Sequence, residues 1–210
     1  MLLTSDQREK IDRTDDADFY RDPRFVTHVD TAFIQRLTSL YRQQLQPQTK
    51  ILDLMSSWVS HLPSEMEFAE VCGHGLNEAE LNRNPRLDRY FVQNLNKNQQ
   101  LPYADAEFAA VLNTVSVQYL QYPEAIFAEI LRVLQPGGKA IVSFSNRMFP
   151  NKAINAWRDG GDEQHLELVC RYFRGVPGFS EPQVVAHRGG GMLPWLSLTD
   201  PFYAVIATKQ

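Results

Sequence analysis

The stretch PEAIFAEILRVLQPGGKAIVSFSN, residues 123–146, narrows the choice of fold more than any other part of the chain. Pro123 suits a first helical turn, and Ile126, Phe127, Ile130, Leu131 and Leu134 recur at helical spacing as one apolar stripe. Pro136-Gly137-Gly138 is expected to stop that helix. The run AIVSFSN after it is apolar nearly throughout, as in a strand covered on both faces. A helix feeding a doubly covered strand is half of a βαβ unit, so the sheet it joins should be largely parallel.

From Lys50 onward the same alternation repeats. Strands are expected at Ile51–Met55, Phe68–Cys72, Tyr90–Asn94, Ala109–Val117, Lys139–Phe144, Val184–Ala186 and Phe202–Ala207. The last two are joined by HRGGGMLPWLSLTDP, which is short for a helical crossover and rich in turn formers, so they should pair antiparallel. Asn77 followed by Glu80 reads as a capping box, and Pro85 keeps its helix brief. Thr27 to Leu45 carries Val29, Phe33, Ile34, Leu37, Leu40, Tyr41 and Leu45 at helical spacing and should pack over the sheet. The expected fold class is α/β: a Rossmann-like seven-stranded mixed sheet, mostly parallel with the last strand antiparallel, and helices on both faces. One domain should span 1–210, with a helical region over 1–48 and the sheet over 49–210.

Composition excludes several functions. A net charge of -4 and no cluster of lysine or arginine give no field for phosphate backbones, so nucleic acid is not an expected partner. No apolar run approaches the roughly 18 residues needed to span a bilayer, and MLLTSDQREKIDRTDD does not read as a leader; no membrane association and a cytoplasmic location are expected. Cys72 and Cys170 are too few for a disulfide framework and are expected as buried thiols. The five histidines show no metal-ligand spacing, so no metal is expected.

The segments ILDL, LPYADAEFAAVLNTVSVQYL and EILRVLQPGGKAIVSFSN, in that order, resemble the class I S-adenosylmethionine-dependent methyltransferases over about residues 45–145. More narrowly, SSWVSHLP, GHGLNEAELNRNP and FSNRMFP resemble a methyltransferase-like group of cyanobacteria and plants with divergent cofactor motifs. The resemblance implies S-adenosylmethionine as cofactor; it does not identify the methyl acceptor, which is expected to be a small molecule. It also implies a crevice where loops splay apart at the carboxyl ends of adjacent strands. The implied cofactor residues are Asp53, Met55, Ser56, Ser57 and Trp58 after the first strand, and Gly75, Leu76 and Asn77 after the second. Asn94, Leu95 and Asn96 follow the third, and Val115 the fourth, with Ser116 near the reacting centre and His28 as candidate base.

Two departures from the family pattern stand out. Met55-Ser56-Ser57-Trp58 replaces the glycines that bring backbone close to the ligand, and Gly75 stands where an acid would hold the ribose. Pro63 should cut the usual helix after the first strand to a turn or two. Ser56, Ser57 and Trp58 read equally as ligand contacts or as a tight turn beside a core tryptophan. His61 reads as a structural histidine, and Gly73-His74-Gly75 as turn chemistry, although His74 is also placed to assist at the ribose. Asn94 and Asn96 also suit an Asx turn. Tyr20, Arg24 and His28 read as a lid or as the start of a surface helix, and Arg147-Met148-Phe149 should face the substrate side. Beside the enzyme stands a rival: a non-catalytic scaffold that keeps the sheet but has weak or lost cofactor binding. A nicotinamide dehydrogenase lacks its G-x-G-x-x-G.

Overall fold

The computed structural model describes residues 2–188 and 199–210. Three helices precede the sheet: α1 (Ser5–Arg8), α2 (Asp16–Phe19) and α3 (Thr31–Gln44). Strands β1 (Lys50–Leu54) and β2 (Glu70–Gly75) lead to α4 (Glu78–Asn82), β3 (Arg89–Val92) and β4 (Phe108–Thr114). Next come α5 (Pro123–Val133), β5 (Leu134–Phe144), α6 (Asn155–Arg158), α7 (Asp162–Arg174), β6 (Gln183–His187) and β7 (Phe202–Thr208). The sheet order is β3-β2-β1-β4-β5-β7-β6, with β7 antiparallel to both neighbours and the other pairs parallel. Most of the link between β6 and β7, residues 189–198, lies outside the described residues.

The core divides between the two faces of the sheet, and the irregularity between Phe108 and Ala110 shifts the alternation along β4. Ala110 and Leu112 of β4 pack with Phe33, Leu37, Leu40 and Tyr41 of α3 on one face. Phe108 and Val111 face Ile126, Phe127 and Ile130 of α5, together with Leu166, Val169 and Phe173 of α7. Phe33 and Tyr41 are fully buried, and each such side chain contributes on the order of 2 to 3 kcal/mol.

Several expectations shift at the boundaries, and the shifts shape the site. The helix expected from Thr27 begins at Thr31, because Asp30 caps it by accepting from the Phe33 amide at 2.8 Å. Residues 27–30 are thereby released from the helix. β1 stops at Leu54 and β4 at Thr114, each before a residue in the left-handed region: Met55 at φ 58° and Val115 at φ 53°. Such a conformation is costly for a β-branched residue such as Val115, on the order of 1 to 2 kcal/mol, and is the kind of strain held at ligand-facing turns. β3 ends two residues before Asn94, leaving it in a loop. The turn or two of helix expected after β1 does not form; residues 55–69 run as irregular chain. α5 ends at Val133, three residues before Pro136, and the Pro136-Gly137-Gly138 turn lies inside β5. There the register against β4 slips, and Gly137 takes φ 78°. The long helix α7 has no counterpart among the elements expected from sequence.

No described helix is long and apolar enough to cross a membrane. Among the described residues, no group of three or more His, Cys, Asp or Glu is placed to hold a metal. Cys72 and Cys170 are free and buried.

Candidate functional site

Strand order reverses between β1 and β4, and a cavity of about 340 Å³ opens at the carboxyl ends of the strands there. Every candidate residue from the sequence borders it: Asp53 within β1 and Met55, Ser56, Ser57 and Trp58 beyond it; Gly75, Leu76 and Asn77 at β2; Asn94, Leu95 and Asn96 beyond β3; Val115 and Ser116 beyond β4; and His28 from the other wall. That wall is the segment before α3, with Asp16, Tyr20, Arg24, Val26 and Thr27, while Arg147, Met148 and Phe149 border the cavity after β5.

His74 ties the loops together. It is 1% exposed, its Nδ1 accepts from the Met55 amide at 3.0 Å, and its Nε2 is 2.8 Å from the Gln93 carbonyl. Those partners require the tautomer with hydrogen on Nε2. Burial pushes its pKa down to about 4, so the ring is neutral near pH 7. One side chain thus joins the ends of β1, β2 and β3, a role distinct from the ribose contact the sequence also allowed.

The same loop explains the missing acid. The Ser56 amide donates to the His74 carbonyl at 2.6 Å, drawing residues 55–56 across the end of β2. A Cβ at Gly75 would stand 2.7 Å from the Ser56 carbonyl oxygen, closer than real contacts. The replaced glycines and the absent acid are therefore one structural change: the loop lies where the acid's side chain would stand. Gly75→Asp, which restores the acid of the family pattern, is expected to lose about 2 to 3 kcal/mol in urea unfolding with no gain in cofactor affinity. A variant as stable as wild type with tighter binding would show that the loop yields.

The asparagines border the cavity with their amides engaged elsewhere. Asn77 caps α4 by accepting from the Glu80 amide at 3.0 Å, and donates to the Tyr20 and Arg21 carbonyls at 2.8 and 2.9 Å. Asn94 donates to Asp15 at 2.8 Å and accepts from the Asn96 amide at 2.9 Å, an Asx turn. Asn96 donates to Asp16 at 2.8 Å and to the Tyr119 carbonyl at 2.9 Å. Asp16 is in turn held by the buried Lys10 at 2.7 Å and Lys152 at 3.4 Å. These polar links pin the first thirty residues over the cavity.

Two carboxylates remain. Asp53, 3% exposed, accepts from the Ser56 hydroxyl at 2.6 Å and from Ser60, yet burial still raises its pKa to about 6. Glu80, 7% exposed, accepts from the Arg24 amide at 2.6 Å and the Ser57 hydroxyl at 2.5 Å. Only half of the expected capping box forms, because the Glu80 side chain turns into the cavity wall rather than back to Asn77. Its cavity position had no signal in the sequence beyond the N3 spacing.

Trp58 is half-buried, neither in the core nor across the cavity: its indole donates to the Val26 carbonyl at 3.1 Å and stands edge-on to Phe25. Ser116 is 7% exposed and its hydroxyl has no partner. His28 is exposed at the mouth, edge-on to Phe149 at 5.4 Å; partial burial, outweighing nearby Glu80, lowers its pKa.

Residues 54–142 match a family model described as a methyltransferase domain. No curated protein matches the sequence. Among solved structures, a Pyrococcus horikoshii protein superposes with TM-score 0.61 at 17% identity, covering 92% of this chain and 99% of that one. An S-adenosylmethionine-dependent methyltransferase from Mesorhizobium loti gives TM-score 0.55 at 17% identity, covering 81% and 96%. A Haemonchus contortus phosphoethanolamine N-methyltransferase 2, solved in complex with S-adenosyl-L-methionine, gives 0.56 at 14% identity, covering 83% and 52%. At these identities the likeness is one of fold. Over residues 54–142 the chain is similar to a methyltransferase domain, and the solved structures share its fold.

Proposed function

We propose that the cavity binds S-adenosylmethionine and that the chain transfers its methyl group to a small-molecule acceptor. The observation that carries this reading is the pair Asp53 and Glu80: two buried carboxylates bordering one cavity, with no lysine or arginine ion-paired to either among the described residues. Buried charge without a counter-charge is unfavourable, and a cationic ligand relieves it. The cofactor carries an ammonium and a sulfonium, so the donor set fits its charge.

When bound, the cofactor supplies an already electrophilic methyl carbon. The work left to the chain is to orient the acceptor and exclude water. Tyr119 and Phe149, stacked with ring centres 6.3 Å apart, and the unbonded Ser116 hydroxyl border the space beside β4 and β5 where an acceptor would lie. His28, neutral near pH 7, is able to take a proton from an acceptor heteroatom at the mouth.

Calorimetric titration of the full chain with S-adenosylmethionine and S-adenosylhomocysteine tests the reading. Binding is expected, and Glu80→Gln should weaken S-adenosylmethionine about tenfold, the scale of one charge-assisted contact. No heat of binding at millimolar ligand would leave the non-catalytic scaffold instead.

A further inference from the structure

Arg24 is a guanidinium on the cavity wall with no carboxylate ion-paired to it among the described residues. Its Nη2 donates to the Phe19 carbonyl at 2.9 Å, while Nη1 is buried with no partner. The group lies 4.6 Å from the centre of the Phe19 ring, 5.5 Å from that of Tyr20 and 5.6 Å from that of Phe149. Aromatic faces stabilise a partly desolvated guanidinium, but they leave its in-plane N–H donors free. Among the described residues, the other lysine or arginine lining this cavity is matched: Arg147 pairs with Asp200 at 2.8 Å. The lining Asp16 is likewise already paired, with Lys10 and Lys152. Glu80 is near, yet it takes the Arg24 backbone amide and no side-chain nitrogen.

A buried N–H left without an acceptor is unfavourable, and a planar fork of donors is best satisfied by a carboxylate. We propose that Arg24 is the carboxylate receptor of the cavity: a ligand seated there presents its carboxylate to Nη1 and rests its body on the Tyr20 and Phe149 rings. The carboxylate has two possible sources, the methionine end of the cofactor or the acceptor itself. The inference rests on the proposed function for the identity of the first source, and on the cavity alone for the second.

The test is calorimetry on the full chain and on Arg24→Gln, with Arg24→Lys as a charge-retaining variant and thermal melting as a check of folding. In one arm S-adenosylhomocysteine is compared with its decarboxylated analogue. In the other, benzoate is compared with benzamide, on the free protein and on protein saturated with S-adenosylhomocysteine. If the cofactor supplies the carboxylate, wild type prefers S-adenosylhomocysteine over its analogue about tenfold, Arg24→Gln shows no preference, and Arg24→Lys recovers part of it. If the acceptor supplies it, S-adenosylhomocysteine binds wild type and Arg24→Gln alike, and wild type prefers benzoate over benzamide by a margin that Arg24→Gln abolishes. The proposal is overturned if wild type discriminates in neither pair, or if its preference survives in Arg24→Gln. Failure of S-adenosylhomocysteine to bind while benzoate still discriminates on the free protein overturns the cofactor reading and leaves Arg24 as a receptor.

Discussion

Asp53→Asn is expected to resist urea better than wild type at pH 7, by about 2 kcal/mol, and to bind S-adenosylmethionine at least tenfold more weakly. The carboxyl is pushed up to about 6 by burial, so it ionises in the folded chain against a penalty that the unfolded chain does not meet. With an ordinary value near 3.8, the shift corresponds to about 3 kcal/mol of lost stability above pH 6. Asn keeps the shape and removes the charge, although the Ser56 and Ser60 hydroxyls then share one acceptor oxygen. The folded chain binds more protons than the unfolded one between about pH 4 and 6, so wild type regains this energy as pH falls. The advantage of Asp53→Asn should therefore shrink through that window and vanish near pH 4. An unchanged affinity together with the gain in stability would remove Asp53 from the cofactor's site.

His74→Ala is expected to lose about 4 kcal/mol in urea unfolding. The substitution opens a void beneath three loops and strands the Met55 amide and the Gln93 carbonyl, both of which the imidazole now serves. Its pH signature runs opposite to that of Asp53. The ring is pulled down to about 4 from 6.5, so the unfolded chain binds the extra proton, and the stability His74 contributes is lost as pH falls from 6.5 toward 4. That loss is about 3 kcal/mol, close to what Asp53 returns over nearly the same range. In Asp53→Asn the histidine term stands alone, so stability should fall more steeply between pH 6.5 and 4 than in wild type, from a higher starting value. A loss of under 1 kcal/mol in His74→Ala would mean that the three loops hold together without it.

Much of the fold was legible because it depends on local periodicity. The apolar stripe of α5, the continuous run of β5 and the turn-rich link before β7 carried the sheet, its direction and its antiparallel end. α7 was not among the expected elements although Leu166, Val169, Cys170 and Phe173 stand at helical spacing; its polar first turn, Asp162-Glu163-Gln164, masks the start. The rim of the site was equally readable, since position relative to a strand end decides which residues border the crevice. What each does there was not. The engagement of Asn94 and Asn96 with Asp15 and Asp16 joins residues about 80 positions apart, and nothing in the spacing of either segment encodes it. The burial of His74 and the turning of Glu80 into the wall likewise depend on how a glycine-free loop lies across its neighbour.

The contact between the Ser56 carbonyl and Gly75 also bears on how such a pocket changes over time. Bringing back the acid collides with the loop, and lifting the loop frees the Met55 and Ser56 amides from His74 before any acid is present to compensate. Each single step descends in stability, and only the paired change reaches the other design. The two architectures are separated by a valley that sequences cross in tandem or not at all.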